Sequence, residues 1–119
     1  MDDRIRRSRK QERDGAKRYG GTVNSGSGNG NMRKNDVRSP TESIEFKTTK
    51  AYSYSLKVAE LIEATKHALI DGRRMVFGIE FTSVRTSQGS VRVVVLEEQD
   101  YLGMKHCASC DGHSCPDVG

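Results

Sequence analysis

Asp36, Glu45 and Lys47 are the residues of this chain whose types and spacing suit chemistry. In Ile44-Glu45-Phe46-Lys47, the two-residue period of a strand turns Ile44 and Phe46 to one face and Glu45 and Lys47 to the other. A carboxylate and an ammonium side by side on a rigid strand, with Asp36 shortly before them, form a metal-and-water arrangement. Carboxylate oxygens are hard ligands for a divalent cation, and a lysine can orient or deprotonate an attacking water. Such a set suits phosphodiester hydrolysis. The plain alternative for Glu45 and Lys47 is an ion pair on an exposed strand.

The elements that must position these groups follow from the pattern of the chain. Residues 2 to 19 predict a highly charged helix with Ile5, Ser8, Glu12, Ala16 and Tyr19 on its least charged stripe. Glu12 is the odd member there, an acid on the face expected to pack inward. Gly20-Gly21 ends that helix, and Thr22-Val23-Asn24 suits a short strand. Residues 24 to 35 form a polar, glycine-rich loop without the spacing of a phosphate-binding loop. Asp36-Val37-Arg38 reads as a strand and Ser39-Pro40-Thr41 as a turn. The strand with Glu45 and Lys47 runs from Ile44 to Thr48. A helix capped by Ser53 or Ser55 then runs to Asp71, stopped by Gly72, with Val58, Leu61, Ile62, Thr65, Ala68 and Leu69 as its apolar stripe. His67 lies off that stripe and is expected to be an ordinary surface histidine. Met75 to Thr82 and Val91 to Leu96 complete the strands, the latter as a buried, valine-rich one, joined by a polar hairpin over Ser83 to Ser90.

Length and charge set the frame. At 119 residues there is room for one modest core. The formal net charge of +4 favours a polyanionic partner, and Arg and Lys outnumber acids over residues 1 to 20. No apolar run approaches the roughly 20 residues that span a bilayer, and none resembles a signal peptide, so a soluble, cytoplasmic protein with no membrane partner is expected.

With these elements in order, the chain resembles the PD-(D/E)XK nuclease superfamily. More narrowly it is similar to the small Holliday junction resolvases of archaea and phages, the group of phage endonuclease I. That pattern has a glutamate in the first helix, an aspartate on the second strand and Glu-x-Lys on the third. Glu12, Asp36 and Glu45-Phe46-Lys47 occupy those places; the proline that often precedes the aspartate is replaced by Asn35. The resemblance implies a restriction-endonuclease-like α/β fold: a mixed sheet of about five strands flanked by helices, over residues 1–100.

It also implies catalytic roles for Glu12, Asp36, Glu45 and Lys47. A Mg2+ or Mn2+ ion would be held by Asp36, Glu45 and the Phe46 carbonyl, with Glu12 completing the site or serving a second ion. The implied enzyme is a magnesium-dependent endonuclease, a homodimer nicking opposed strands of four-way DNA junctions, encoded by a phage in a bacterial host as one setting. Ser25, Arg33, Lys34, Lys50 and Lys57 are candidates for phosphate contact around the site. Two other readings stay open. One is a different nuclease of the superfamily, acting in repair or nicking of duplex DNA. The other is a noncatalytic protein that binds nucleic acid through the basic first helix and the glycine-rich loop.

Residues 101–119 stand apart as a tail with potential zinc ligands. Cys107, Cys110, His113 and Cys115 could close a tetrahedral Zn2+ site, although the two pairs lie closer together than usual zinc spacings. A redox-sensitive tail without metal is the alternative.

Overall fold

Glycine ends both of the first two helices in the same way. Gly20 (φ 64°) and Gly72 (φ 66°) take the left-handed conformation that a Cβ would strain. Beyond them the backbone closes six-to-one hydrogen bonds, Gly21 N to Ala16 O at 2.8 Å and Arg73 N to Ala68 O at 2.9 Å. These stops fix α1 as Asp3–Tyr19 and α2 as Val58–Ile70 in a computed structural model that describes residues 3–24 and 35–108. The strands are β1 (Thr22–Val23), β2 (Val37–Arg38), β3 (Glu42–Thr49), β4 (Arg74–Thr86) and β5 (Gly89–Val95), followed by α3 (Glu98–Ala108).

The five strands form one sheet in chain order. Its pairs are antiparallel except β3 with β4, which run parallel with α2 as the crossover. The chain is therefore an α/β protein with a mixed five-stranded sheet, in the order expected from its pattern.

Strand alternation divides the core in two. On one face Val37, Ile44, Phe46 and Val76 pack under Ala16 of α1; on the other Met75, Phe77 and Ile79 pack under Ala64 and Ala68 of α2. Phe46 is held tightly. A Cβ at Gly15 would fall onto its Cε2 and Cζ atoms, and one at Gly78 would stand 2.8 Å from its Cδ1. The ring thus lies between two glycines, with Tyr19 against it in an edge arrangement, ring centres 6.1 Å apart.

Several details depart from the sequence expectation. Neither serine caps α2, which begins at Lys57 with no side-chain cap. The Tyr54 hydroxyl instead donates to the carboxylate of Glu60 in the first turn, 3.1 Å from either oxygen, and that bond fastens the incoming segment. The inward face of α2 is narrower than its apolar stripe: Ala64 and Ala68 are buried, whereas Val58, Ile62 and Leu69 are exposed. On α1 the buried residues are Gln11, Gly15 and Ala16, with Glu12 half-buried at the margin and Ile5 exposed. The valine strand β5 is an edge paired only with β4, so Val93 and Val94 are exposed rather than buried. α3 crosses the boundary drawn at residue 100. No helix among the described residues is long and apolar enough to cross a membrane.

Candidate functional site

The site grows from the last rung between β2 and β3, where Val37 pairs with Ile44. Continuing that register by one step puts Asp36 opposite Glu45. The ladder ends there, and the next β3 donor on that edge, Phe46 N–H, would lack a strand partner. Asp36 supplies one: Phe46 N donates to its Oδ2 at 2.8 Å. Within a strand a residue's N–H and C=O leave by the same edge, so the Phe46 carbonyl opens on the side that holds Asp36.

Asn35 holds Asp36 in place from the neighbouring position. It is 1% exposed. Its Nδ2 donates to Ser43 Oγ on β3 at 2.9 Å and to the Ala64 carbonyl of α2 at 3.0 Å, and its own carbonyl accepts from Asn24 Nδ2 at 2.7 Å. Asn35 thus ties β3, α2 and the residue after β1 together. No local pattern around Asn35 marks this hub.

Glu12, half-buried on α1, feels the charge of Asp36. Burial pushes its carboxyl above the ordinary carboxylate range; the nearby Asp36 charge pushes it further, and Arg9 pulls it back. The adjacent Gln11, 5% exposed, donates from Nε2 to the Lys47 carbonyl at 2.8 Å and so pins α1 to β3 beside the site.

Glu45 and Lys47 point to the opposite face, into a cleft of about 290 Å³ between β3 and α2. Lys47 Nζ stands 3.6 Å from Glu45 Oε2, an ion pair too long for a hydrogen bond. The Glu45 side chain is only 13% exposed, so the pair does not lie on an open strand surface. Glu60, Glu63 and His67 of α2 line the cleft as well. Tyr54 sits beside it, and its hydroxyl is pushed up to about 12 by burial, then by the charge and hydrogen bond of Glu60 and by the charge of Glu45.

His67 is not the surface histidine expected from its sequence position; its side chain is 14% exposed. Its Nδ1 lies 3.3 Å from Asn35 Oδ1. The Ala64 carbonyl can only accept, so the Asn35 atom facing it is the amide nitrogen, and the amide oxygen faces the histidine. Nδ1 therefore carries the hydrogen. Nε2 is left toward Glu63, with Oε1 at 3.4 Å. Glu60, Glu63 and His67 are three and four residues apart on one helix face, a spacing visible in the sequence.

The remaining candidates lie apart from this centre or outside the described residues. Lys50 and Lys57 are exposed in and beside the segment joining β3 to α2, and neither lines the cleft. Ser25, Arg33, Lys34, Cys110, His113 and Cys115 lie outside the described residues, and Cys107 falls in the last turn of α3.

The donors around β3 are hard carboxylate and carbonyl oxygens, and Glu12 and Asp36 raise the need for positive charge between them. That chemistry fits a magnesium or manganese ion. Among the described residues, no three His, Cys, Asp or Glu side chains already stand together as a metal cage. Magnesium commonly takes only one or two carboxylates and completes its shell with water and substrate phosphate. The chain matches no protein-family model, no curated protein and no solved structure.

Proposed function

We propose that this protein is a metal-dependent endonuclease of the PD-(D/E)XK kind, acting on branched DNA and nicking opposed strands of four-way junctions. One observation carries the reading. Asp36 is held on the Phe46 N–H in the middle of β3, the strand from which Glu45 and Lys47 project into the cleft, and its charge reaches Glu12 on α1. A mere surface ion pair would need neither the buried Asn35 hub nor a carboxylate caught at the end of the ladder.

Asp36, Glu45 and the Phe46 carbonyl would hold Mg2+ or Mn2+, with Glu12 completing the shell or serving a second ion. A bound ion there supplies charge to the phosphate and lowers the pKa of a water. Lys47 would position that water on the phosphorus and offset the charge gathering on the pentacoordinate centre. Its pairing with Glu45 keeps the ammonium in the cleft until the phosphate arrives.

The preference for junctions and the homodimer rest on resemblance. The dimer draws support from Val58, Ile62, Leu69 and Ile70, which expose 55 to 71% of their surface along α2, as a surface covered by a second copy would. The deciding experiment incubates a synthetic four-way junction and a linear duplex of equal length with Mg2+. Paired nicks in the junction, lost in Asp36→Asn, are expected. Undiminished cleavage by Asp36→Asn would remove the site assignment, and equal cutting of both substrates would remove the junction preference.

A further inference from the structure

Around its axis α1 has two unlike sides. Gln11, Gly15 and Ala16 are buried against the sheet, and Ser8, Glu12 and Tyr19 are half-buried beside them. Arg6, Arg9, Lys10, Arg13 and Lys17 are exposed. Arg6, Lys10, Arg13 and Lys17, at steps of three and four, align on the side facing away from the sheet over a length of about 16 Å. Arg9 stands at the flank, one heptad before Ala16. Within the stripe Lys10 pairs with Asp14 at 2.8 Å. Like charges at such spacings weaken a helix, so this stripe is held by the packing of the opposite face.

We propose that the outward side of α1 is a docking surface for the phosphate backbone of duplex DNA, bound without regard to base sequence. Charge complementarity selects a polyanion. A membrane surface is disfavoured because Ile5 is the one exposed apolar residue among the described residues of α1, too little for an inserting face. A single strand is disfavoured because no aromatic ring stands among the cations for bases to stack on. The proposal rests on the DNA reading above but not on cleavage.

The test measures binding of the full chain to fluorescent duplexes of about 30 base pairs, in EDTA, between about 50 and 200 mM KCl. For the parent the logarithm of the association constant falls linearly with that of salt concentration. Replacing Arg6, Arg9, Arg13 and Lys17 together by glutamine, a good helix former, is expected to flatten the slope by about 3 to 4 and to weaken binding at least about tenfold for unrelated sequences alike. The charge-keeping variant with Arg6, Arg9 and Arg13 as lysine is expected to keep the parent slope. If circular dichroism shows the fourfold variant unfolded, Arg13→Gln alone decides, with an expected flattening of about 0.9.

A folded variant with the parent's slope overturns the proposal. So does tighter binding of the parent to duplex RNA or to anionic vesicles than to duplex DNA. A parent that binds with the expected slopes yet never cuts any DNA would sink the nuclease reading and leave this one standing. A parent that cuts junctions while the fourfold variant keeps its slope would do the reverse.

Discussion

Replacing Gly15 by alanine sets two effects of known sign against each other. On an exposed helix position the change favours the fold by about 1 kcal/mol, because glycine is the poorer helix former. Here the new methyl falls onto the Phe46 ring. The ring has little room to retreat, since the backbone at Gly78 lies against its other side, where even a Cβ would stand 2.8 Å away. Overpacking of this kind costs about 1–3 kcal/mol. The two effects sum to a net loss of roughly 1 kcal/mol, within a range of about 0 to 2. Urea unfolding followed by circular dichroism should show the midpoint falling by up to about 1 M for a domain of this size. In a Phe46→Leu background the ring is gone, and the same Gly15→Ala change should turn stabilising. The coupling between the two sites is then on the order of 1–3 kcal/mol. Because Phe46 lies between Glu45 and Lys47, Gly15→Ala should also slow the proposed cleavage. A midpoint that rises with Gly15→Ala alone would mean that the ring yields freely. The two glycines would then not be what holds β3 in place.

Three further outcomes are expected. Asn35→Ala removes two donated hydrogen bonds and leaves the buried Ser43 hydroxyl without its donor, so it should destabilise by about 2–3 kcal/mol; a loss under about 0.5 kcal/mol in urea would refute the hub. Glu12 has a carboxyl pushed above its ordinary value near 4.5, so its contribution to metal-free stability is fully present below that value and is lost as pH rises through the folded one. Glu12→Gln, neutral throughout, should therefore melt at a higher temperature than the parent at pH 7 and near the same temperature at about pH 4; a lower melting point at pH 7 would contradict this. Tyr54 should ionise only near pH 12, seen as a late rise in tyrosinate absorbance that Tyr54→Phe reduces, the burial-raised Tyr19 supplying the remainder.

The sequence made legible what depends on local pattern. Strand alternation placed Ile44 and Phe46 inward, the glycines at 20 and 72 marked both helix ends, and element order yielded the mixed sheet. It misled where tertiary partners decide. Ser53 and Ser55 have the chemistry of helix caps, but Tyr54 fastens to Glu60 and the helix starts later. The valines of β5 read as a buried strand, yet an edge position leaves two of them exposed. His67 looked solvated because its anchor, Asn35, lies 32 positions away in sequence, and no periodicity reports a contact of that range. Gln11 was invisible for the same reason: its partner is a backbone carbonyl on another element.

The parallel pairing of β3 with β4 also governs the order in which the chain can assemble. Every rung joins residues 32 positions apart, from Glu42 with Arg74 to Thr49 with Phe81. The β4–β5 hairpin, by contrast, closes across the short turn between Thr86 and Gly89. Hairpins form in about 1–10 μs, while long-range pairing must first meet the entropy of closing its loop. The hairpin therefore offers an early template, and β3 docks on it only once α2 has spanned the gap. Glu45 and Lys47 ride on that last-arriving strand, so a partly folded chain holds neither in the cleft. If they serve the proposed cleavage, competence for it arrives with the completed fold and not before it.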